Sequence, residues 1–253
     1  MKVKPYFRST LSEPFQGKHY HEAGTTVVLN AEINTKSIGR FIMMLPDPVS
    51  LNLNNAQNAI DRAKTLIERI NKSKKITVFS SILKEDNIRG LSSAQIEKLD
   101  PSATVFRVLS DEKIFEYTQL SMGIVVSLIT AIESFLNLII PSDFTLKRQN
   151  KKGEDEILNK EHIVRKFSIE DKITLVSEDK NRTGLKQQKF WETFKQVKDL
   201  RDEIIHFKKM DSKIDTIWTP ILVSFFDSDL QEFFNDTVNL INFLEPKYLE
   251  YEN

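Results

Sequence analysis

Phe190-Trp191-Glu192-Thr193-Phe194-Lys195-Gln196-Val197-Lys198-Asp199-Leu200-Arg201-Asp202-Glu203-Ile204-Ile205-His206-Phe207 is the stretch on which the reading of this chain turns. Phe190, Phe194, Val197, Leu200, Ile204 and Phe207 recur at helical spacing, which predicts an amphipathic helix over 186–207. Two residues depart from a plain core helix. At about 100° per residue, Arg201 falls about 20° from Phe190, in the middle of the apolar stripe, and His206 about 140° further round, beside Asp202 and Asp199. An arginine in the centre of an apolar face needs either a paired anion or a cavity in which its charge is used. A purely structural ion pair and a working site both meet that need.

On either side of this helix the pattern is that of a helical bundle. Ser110-Asp111-Glu112-Lys113 is a capping start, and the helix that follows runs to Ile140 and stops at Pro141. Positions 120–140 are long enough to cross a bilayer, with Glu133 as the single formal charge. Ser121, Ser127, Thr130, Ser134 and Asn137 interrupt the run, and with Gln119 and Gly123 most of them share one side of the helix. That favours the core helix of a bundle over a membrane span. The stretch 143–155, basic at Lys147, Arg148, Lys151 and Lys152, reads as a loop, and 156–167 as helix. Ser168 to Lys172 caps a short helix through Val176, 177–186 is a polar loop, Pro220 closes an irregular stretch, and the last helix covers 230–249. The second half is therefore read as four to five helices.

The first 108 residues differ in character. Strands are expected at 25–33 and 38–45, joined as a hairpin through Asn34 to Ser37 and stopped by Pro46-Asp47-Pro48. A helix starting at Asn54 or Asn55 runs to Ile70, with further short strands at 76–81 and 105–109 and a short helix at 91–99. The fold class is α+β: a small N-terminal α+β unit of unassigned role, 1–108, followed by an all-α bundle, 109–253.

Composition narrows the chemistry. The 253 residues hold 36 basic and 36 acidic side chains, so nucleic-acid binding would have to come from a local patch. The absence of cysteine removes disulfides, thiol nucleophiles and thiolate metal sites. Together with an N-terminus followed by no apolar h-region, it sets the expectation of a cytoplasmic protein. No Gly-rich phosphate loop, nucleophile elbow or zinc helix is present, and His19-Tyr20-His21-Glu22 has too few ligands to be read as a metal site.

Arg201-Asp202 followed after three residues by His206 resembles the Arg-polar-(x)n-His motif of the HEPN superfamily (higher eukaryotes and prokaryotes nucleotide-binding domain). Ala131-Ile132-Glu133-Ser134-Phe135-Leu136-Asn137 is similar to that family's first helix, and Ser168-Ile169-Glu170-Asp171-Lys172-Ile173 resembles the segment before its motif helix. The resemblance covers about 110–250. It implies a HEPN-like bundle acting as a metal-independent endoribonuclease, with no cofactor and no metal, in bacterial stress response or phage defence. It implies a homodimer with a composite site, RNA as substrate, an antitoxin or regulatory partner, and no membrane. His206 would move the proton and Arg201 would stabilise charge on the scissile phosphate. Asp202, four residues before His206, is placed to orient its ring and raise its pKa. Glu133 is the expected partner of Arg201, and Lys147, Arg148, Lys151 and Lys152 the expected RNA contacts. Lys208 stands where toxin members of the family paired with nucleotidyltransferase antitoxins carry a tyrosine, which argues against control by AMP addition there. The alternative reading is a catalytically inactive HEPN-like protein that dimerises or binds RNA or nucleotide.

Overall fold

The structure is a computed structural model. It describes residues 30–44, 46–71, 93–101, 104–107, 110–149, 153–205, 214–246 and 248–249, with Val3 and short strand segments at 9–10, 15–16, 20–21, 26–27 and 76–79. Among these residues there are eight α-helices: α1 (Pro48–Asn71), α2 (Ser93–Leu99), α3 (Asp111–Ile139), α4 (Lys160–Lys166), α5 (Ile169–Asp179), α6 (Lys189–Ile205), α7 (Ile214–Asp227) and α8 (Leu230–Leu244). The strands form two-stranded antiparallel ribbons, most of them in the first part of the chain. A small α+β unit followed by a helical region is thus the observed fold class.

Helix α3 is the centre. Its 29 residues bury Tyr117, Ser121, Ile124, Leu128, Ala131 and Phe135 in alternating steps of four and three, with Leu120, Val125, Ile132 and Leu136 beside them. That spacing is a continuous seam, which is what a long helix needs to pack lengthwise against another. By length and composition α3 also meets the description of a membrane span. In the structure its apolar face lies against α1, α6 and α8 in one core cluster.

The neighbour along the seam is α1, whose buried Val49, Leu53, Ala56, Ile60, Ala63 and Ile70 follow a matching period. The two helices run antiparallel. Arg62 reaches Glu116 near the start of α3 at 3.2 Å. Asp47, just before α1, lies 3.4 Å from the Tyr248 hydroxyl, and the Tyr248 ring packs edge-on against Phe135 near the end of α3. The core therefore continues across position 108: α1, from the N-terminal stretch, packs with the helices that follow it.

Several local expectations are corrected. Helix α1 begins at Pro48, not at Asn54 or Asn55. The Asp47 carboxylate accepts the Ser50 backbone N–H at 2.8 Å, and proline suits the first helical position because no N–H is needed there. The Pro-Asp-Pro run ends the strand and starts the helix at once. The loop and helix expected over 143–167 are instead an antiparallel hairpin, Thr145–Gln149 against Asp155–Asn159, followed by α4. The hairpin is largely exposed, so it carries no apolar alternation to announce it. Gly153 takes the left-handed conformation its turn requires (φ 80°), and Asn159 caps α4 by accepting the His162 N–H at 3.0 Å. Pro220 lies inside α7 and does not end an irregular stretch. Ile221 and Phe225 on that helix are fully buried, and the Phe225 carbonyl accepts the Tyr117 hydroxyl of α3 at 2.8 Å. Packing against α3 thus offsets the hydrogen bond that proline removes.

The hairpin expected near the N-terminus is present as Asn30–Thr35 paired with Gly39–Met44, and the strand at Ile76–Phe79 pairs with Thr104–Arg107. The cap read at Ser168 is formed, and it is a capping box: Ser168 Oγ accepts the Asp171 N–H, and Asp171 accepts the Ser168 N–H.

Asp47→Ala is expected to lower stability by about 1–2 kcal/mol, because it removes the cap of the helix that lines the α3 seam. Asp47→Asn retains most of that. Urea unfolding midpoints of the two variants against wild type check the difference.

Candidate functional site

Helix α6 is held by its apolar side. Phe190, Phe194, Val197 and Leu200 are buried, and Thr193 Oγ1 donates to the buried Asp236 of α8 at 2.7 Å. Arg201 follows near the end of that stripe, before the half-buried Ile204, and its side chain is 27% exposed. The position explains how a guanidinium is tolerated in line with Phe190, about three turns further along the helix: there the side chain is partly open to water.

Its partner is the next residue. Arg201 Nη1 donates to Asp202 Oδ1 at 2.8 Å. Asp202 Oδ2 faces Lys198 Nζ at 3.4 Å, one turn back along α6. Lys198 in turn meets Glu170 of α5 at 3.2 Å and Asp199 at 3.6 Å. The charges therefore alternate in a line from Glu170 through Lys198 and Asp202 to Arg201. Partial burial pushes the Asp202 carboxyl up, but the hydrogen bond from Arg201 and the charge and hydrogen bond of Lys198 outweigh it and hold Asp202 below the usual carboxylate range. Burial likewise pulls the Lys198 ammonium down, and the hydrogen bond and charge of Glu170, with Asp202 behind them, leave it above its ordinary value.

The expected Glu133–Arg201 pair is not what forms. Glu133 on α3 faces Lys172 of α5 at 3.7 Å. Lys172 is only 1% exposed and donates to Asn137 Oδ1 at 3.2 Å. The reason is reach and burial: an ammonium enclosed between α3 and α5 needs the carboxylate more than Arg201 does, since Arg201 has water and its own neighbour. Each carboxylate oxygen of Asp202 faces a cation, Arg201 or Lys198, and the expected Asp202–His206 contact lies outside the described residues.

The expected RNA contacts divide. Lys147 and Arg148 lie on the exposed strand Thr145–Gln149. Arg148 is engaged by Glu156 across the hairpin at 2.5 Å and sits over the Phe167 ring at 5.0 Å, so its charge is partly spent within the chain. His206, Lys151 and Lys152 lie outside the described residues. Among the described residues, no three His, Asp or Glu side chains cluster to hold a metal ion.

A groove of about 670 Å³ runs along the other side of α6, bordered by α8. It includes Gln196 and Glu203, which lie about 140–160° from Arg201 around the helix. Four carboxylates line it (Glu192, Asp199, Glu203, Glu232) against the two ammonium groups of Lys189 and Lys195. That balance leaves the groove net acidic.

Sequence reasoning missed three of these residues. Lys198 was legible as an i,i+4 neighbour of Asp202, whereas Glu170 and Lys172 sit on another helix, and nothing local shows that Glu170 meets Lys198 or that Lys172 takes Glu133. No family model, no curated protein and no solved structure matches this chain.

Two outcomes follow. Asp202 has a depressed pKa when folded, so its contribution is present above the unfolded value of about 3.9 and is lost as pH falls through the folded value. Asp202→Asn is expected to cost about 0.5 kcal/mol near neutrality, the partly exposed pair being screened, and nothing at the acid end. Urea midpoints from pH 6 down into the acid range check the convergence. Lys172→Ala should destabilise by about 2–4 kcal/mol through lost packing around an enclosed side chain, while Lys172→Met, which refills the space, should cost far less. Thermal unfolding of the two variants separates them.

Proposed function

We propose that this chain is a metal-independent endoribonuclease of the HEPN type, acting as a homodimer whose composite site takes an Arg201–His206 pair from each subunit. The reading rests on the motif resemblance, and one structural observation supports it most. Arg201 lies on the apolar stripe of α6 near the edge of the core, where Asp202 holds its guanidinium and its side chain is partly exposed. A guanidinium so placed offers a planar set of donors to a phosphate.

The chemistry assigned to these residues is internal transesterification. The ribose 2′-oxygen attacks the adjacent phosphorus and the bond to the 5′-oxygen breaks. One proton leaves the 2′-hydroxyl and one reaches the departing 5′-oxygen. His206 carries out one of these transfers, and Arg201 offsets the charge that grows on the phosphate oxygens. The products are a 2′,3′-cyclic phosphate and a 5′-hydroxyl. Two-fold symmetry supplies the second pair, since the five-residue spacing of Arg201 and His206, read at helical periodicity, sets them about 140° apart. The resemblance also supplies the setting, bacterial stress response or phage defence under an antitoxin or regulatory partner.

A second reading has its own observation. Arg201 and Lys198 are already neutralised by Asp202 and Glu170, which suits a bundle that dimerises or binds RNA without cutting it.

Labelled total RNA or tRNA incubated in EDTA decides between them. Wild type is expected to cleave, and Arg201→Ala and His206→Ala, once shown to fold and dimerise normally, to lose about 100-fold or more. Equal cleavage by all three would contradict the proposal, and RNA binding without cleavage by wild type would favour the second reading.

A further inference from the structure

Lys198 occupies an unusual place among the charges of the motif helix. Three carboxylates converge on its single ammonium: Glu170 at 3.2 Å, Asp202 at 3.4 Å and Asp199 at 3.6 Å. Its side chain is 22% exposed, the most covered member of the network. Remove that cation and three like charges share one small region, and Asp202 loses the partner that fixes its second oxygen. The anion that holds the Arg201 Nη1 group is then free to swing.

The other end of the line is anchored independently. Glu170 lies in the first turn of α5, and the reciprocal Ser168–Asp171 capping box sets where that turn begins. A carboxylate there is also favoured by the helix dipole. Two helices are thereby tied at one point: capping box to Glu170, Glu170 to Lys198, Lys198 to Asp202, Asp202 to Arg201. Isolated surface ion pairs contribute little to stability. A partly covered chain that ends on a functional guanidinium has a different use, because small errors in its direction are costly to a reaction.

Resting on the ribonuclease reading, we infer that Lys198 is a positioning residue: clamped by Glu170 of the neighbouring helix, it holds Asp202, and Asp202 aims the Arg201 guanidinium at the scissile phosphate. Lys198 itself does not touch the RNA. Glu170 belongs to the same device and acts one step further back.

The test combines a spectroscopic and a kinetic measurement on the full-length protein. Side-chain ¹⁵N spectra assign the Arg201 guanidinium through its loss in Arg201→Ala. In wild type its Nη groups are expected to show restricted rotation. Lys198→Met, which retains the aliphatic stem, should release that restriction, Glu170→Gln should release it in part, and Lys198→Arg should retain it. In the RNA assay, Lys198→Met should lower kcat by about 10- to 100-fold with KM within about threefold, and Lys198→Arg should recover most of the loss. An Arg201 spectrum unchanged in Lys198→Met would overturn the inference whatever the activity. So would a loss confined to KM, which would make Lys198 a direct phosphate contact. If wild type shows no Arg201-dependent cleavage, the ribonuclease reading fails and the catalytic part of this inference fails with it. The spectra then decide the Lys198–Asp202–Arg201 geometry by themselves.

Discussion

The buried face of α3 sets the position of almost everything else that matters in this chain. Phe135, Leu136, Ile132, Leu128, Val125 and Ile124 are removed from water along one side of it, and α1, α6 and α8 take their places by covering them. Each such side chain contributes about 1.5–3 kcal/mol in transfer free energy, most of which offsets the entropy of ordering the chain. The seam is long and regular, so the helices have little freedom to slide. The motif helix inherits its orientation from this packing. With Phe194, Val197 and Leu200 fixed inward, Arg201 must emerge at the edge of the core and the acidic groove must lie on the opposite side.

Electrostatics then divides α6 into two faces. One lines a groove with four carboxylates against two lysines. The other carries an ordered line of alternating charge that ends on Arg201. The separate Lys172–Glu133–Asn137 cluster joins α5 to α3 on the core side. Helix α5 is thus fastened twice, by an enclosed lysine to the central helix and by Glu170 to the motif helix. A short helix fastened at both faces is a firm support for a neighbouring side chain.

Much of this was legible in the sequence, and the reasons differ by element. The α6 stripe and the α3 helix follow from apolar periodicity, and the Ser168 cap from local side-chain chemistry; all three signals are carried by residues close in sequence. The start of α1 was hidden because Pro46-Asp47-Pro48 was weighed as a stop, although Asp followed by Pro is also a helix start. The hairpin at 145–159 was hidden because an exposed ribbon has no core to impose alternation. Pro220 misled because the gain from burying Ile221 and Phe225 is a tertiary effect. At the site, the partner of Arg201 was misassigned for the same kind of reason. Sequence spacing does not say whether Glu133 faces α5 or α6, and the enclosed Lys172 decides which cation it serves.

The central claim is that two subunits share one working site. Mixed dimers of Arg201→Ala and His206→Ala subunits, purified by different tags, test it most directly. Each mutant homodimer lacks one of the two groups entirely, whereas the mixed dimer has one arginine and one histidine on opposite chains. A composite site predicts that EDTA-resistant RNA cleavage returns in the mixed dimer, well above either parent. A mixed dimer as inactive as its parents, beside a wild-type dimer that cleaves, would contradict the shared site and confine the chemistry to a single chain.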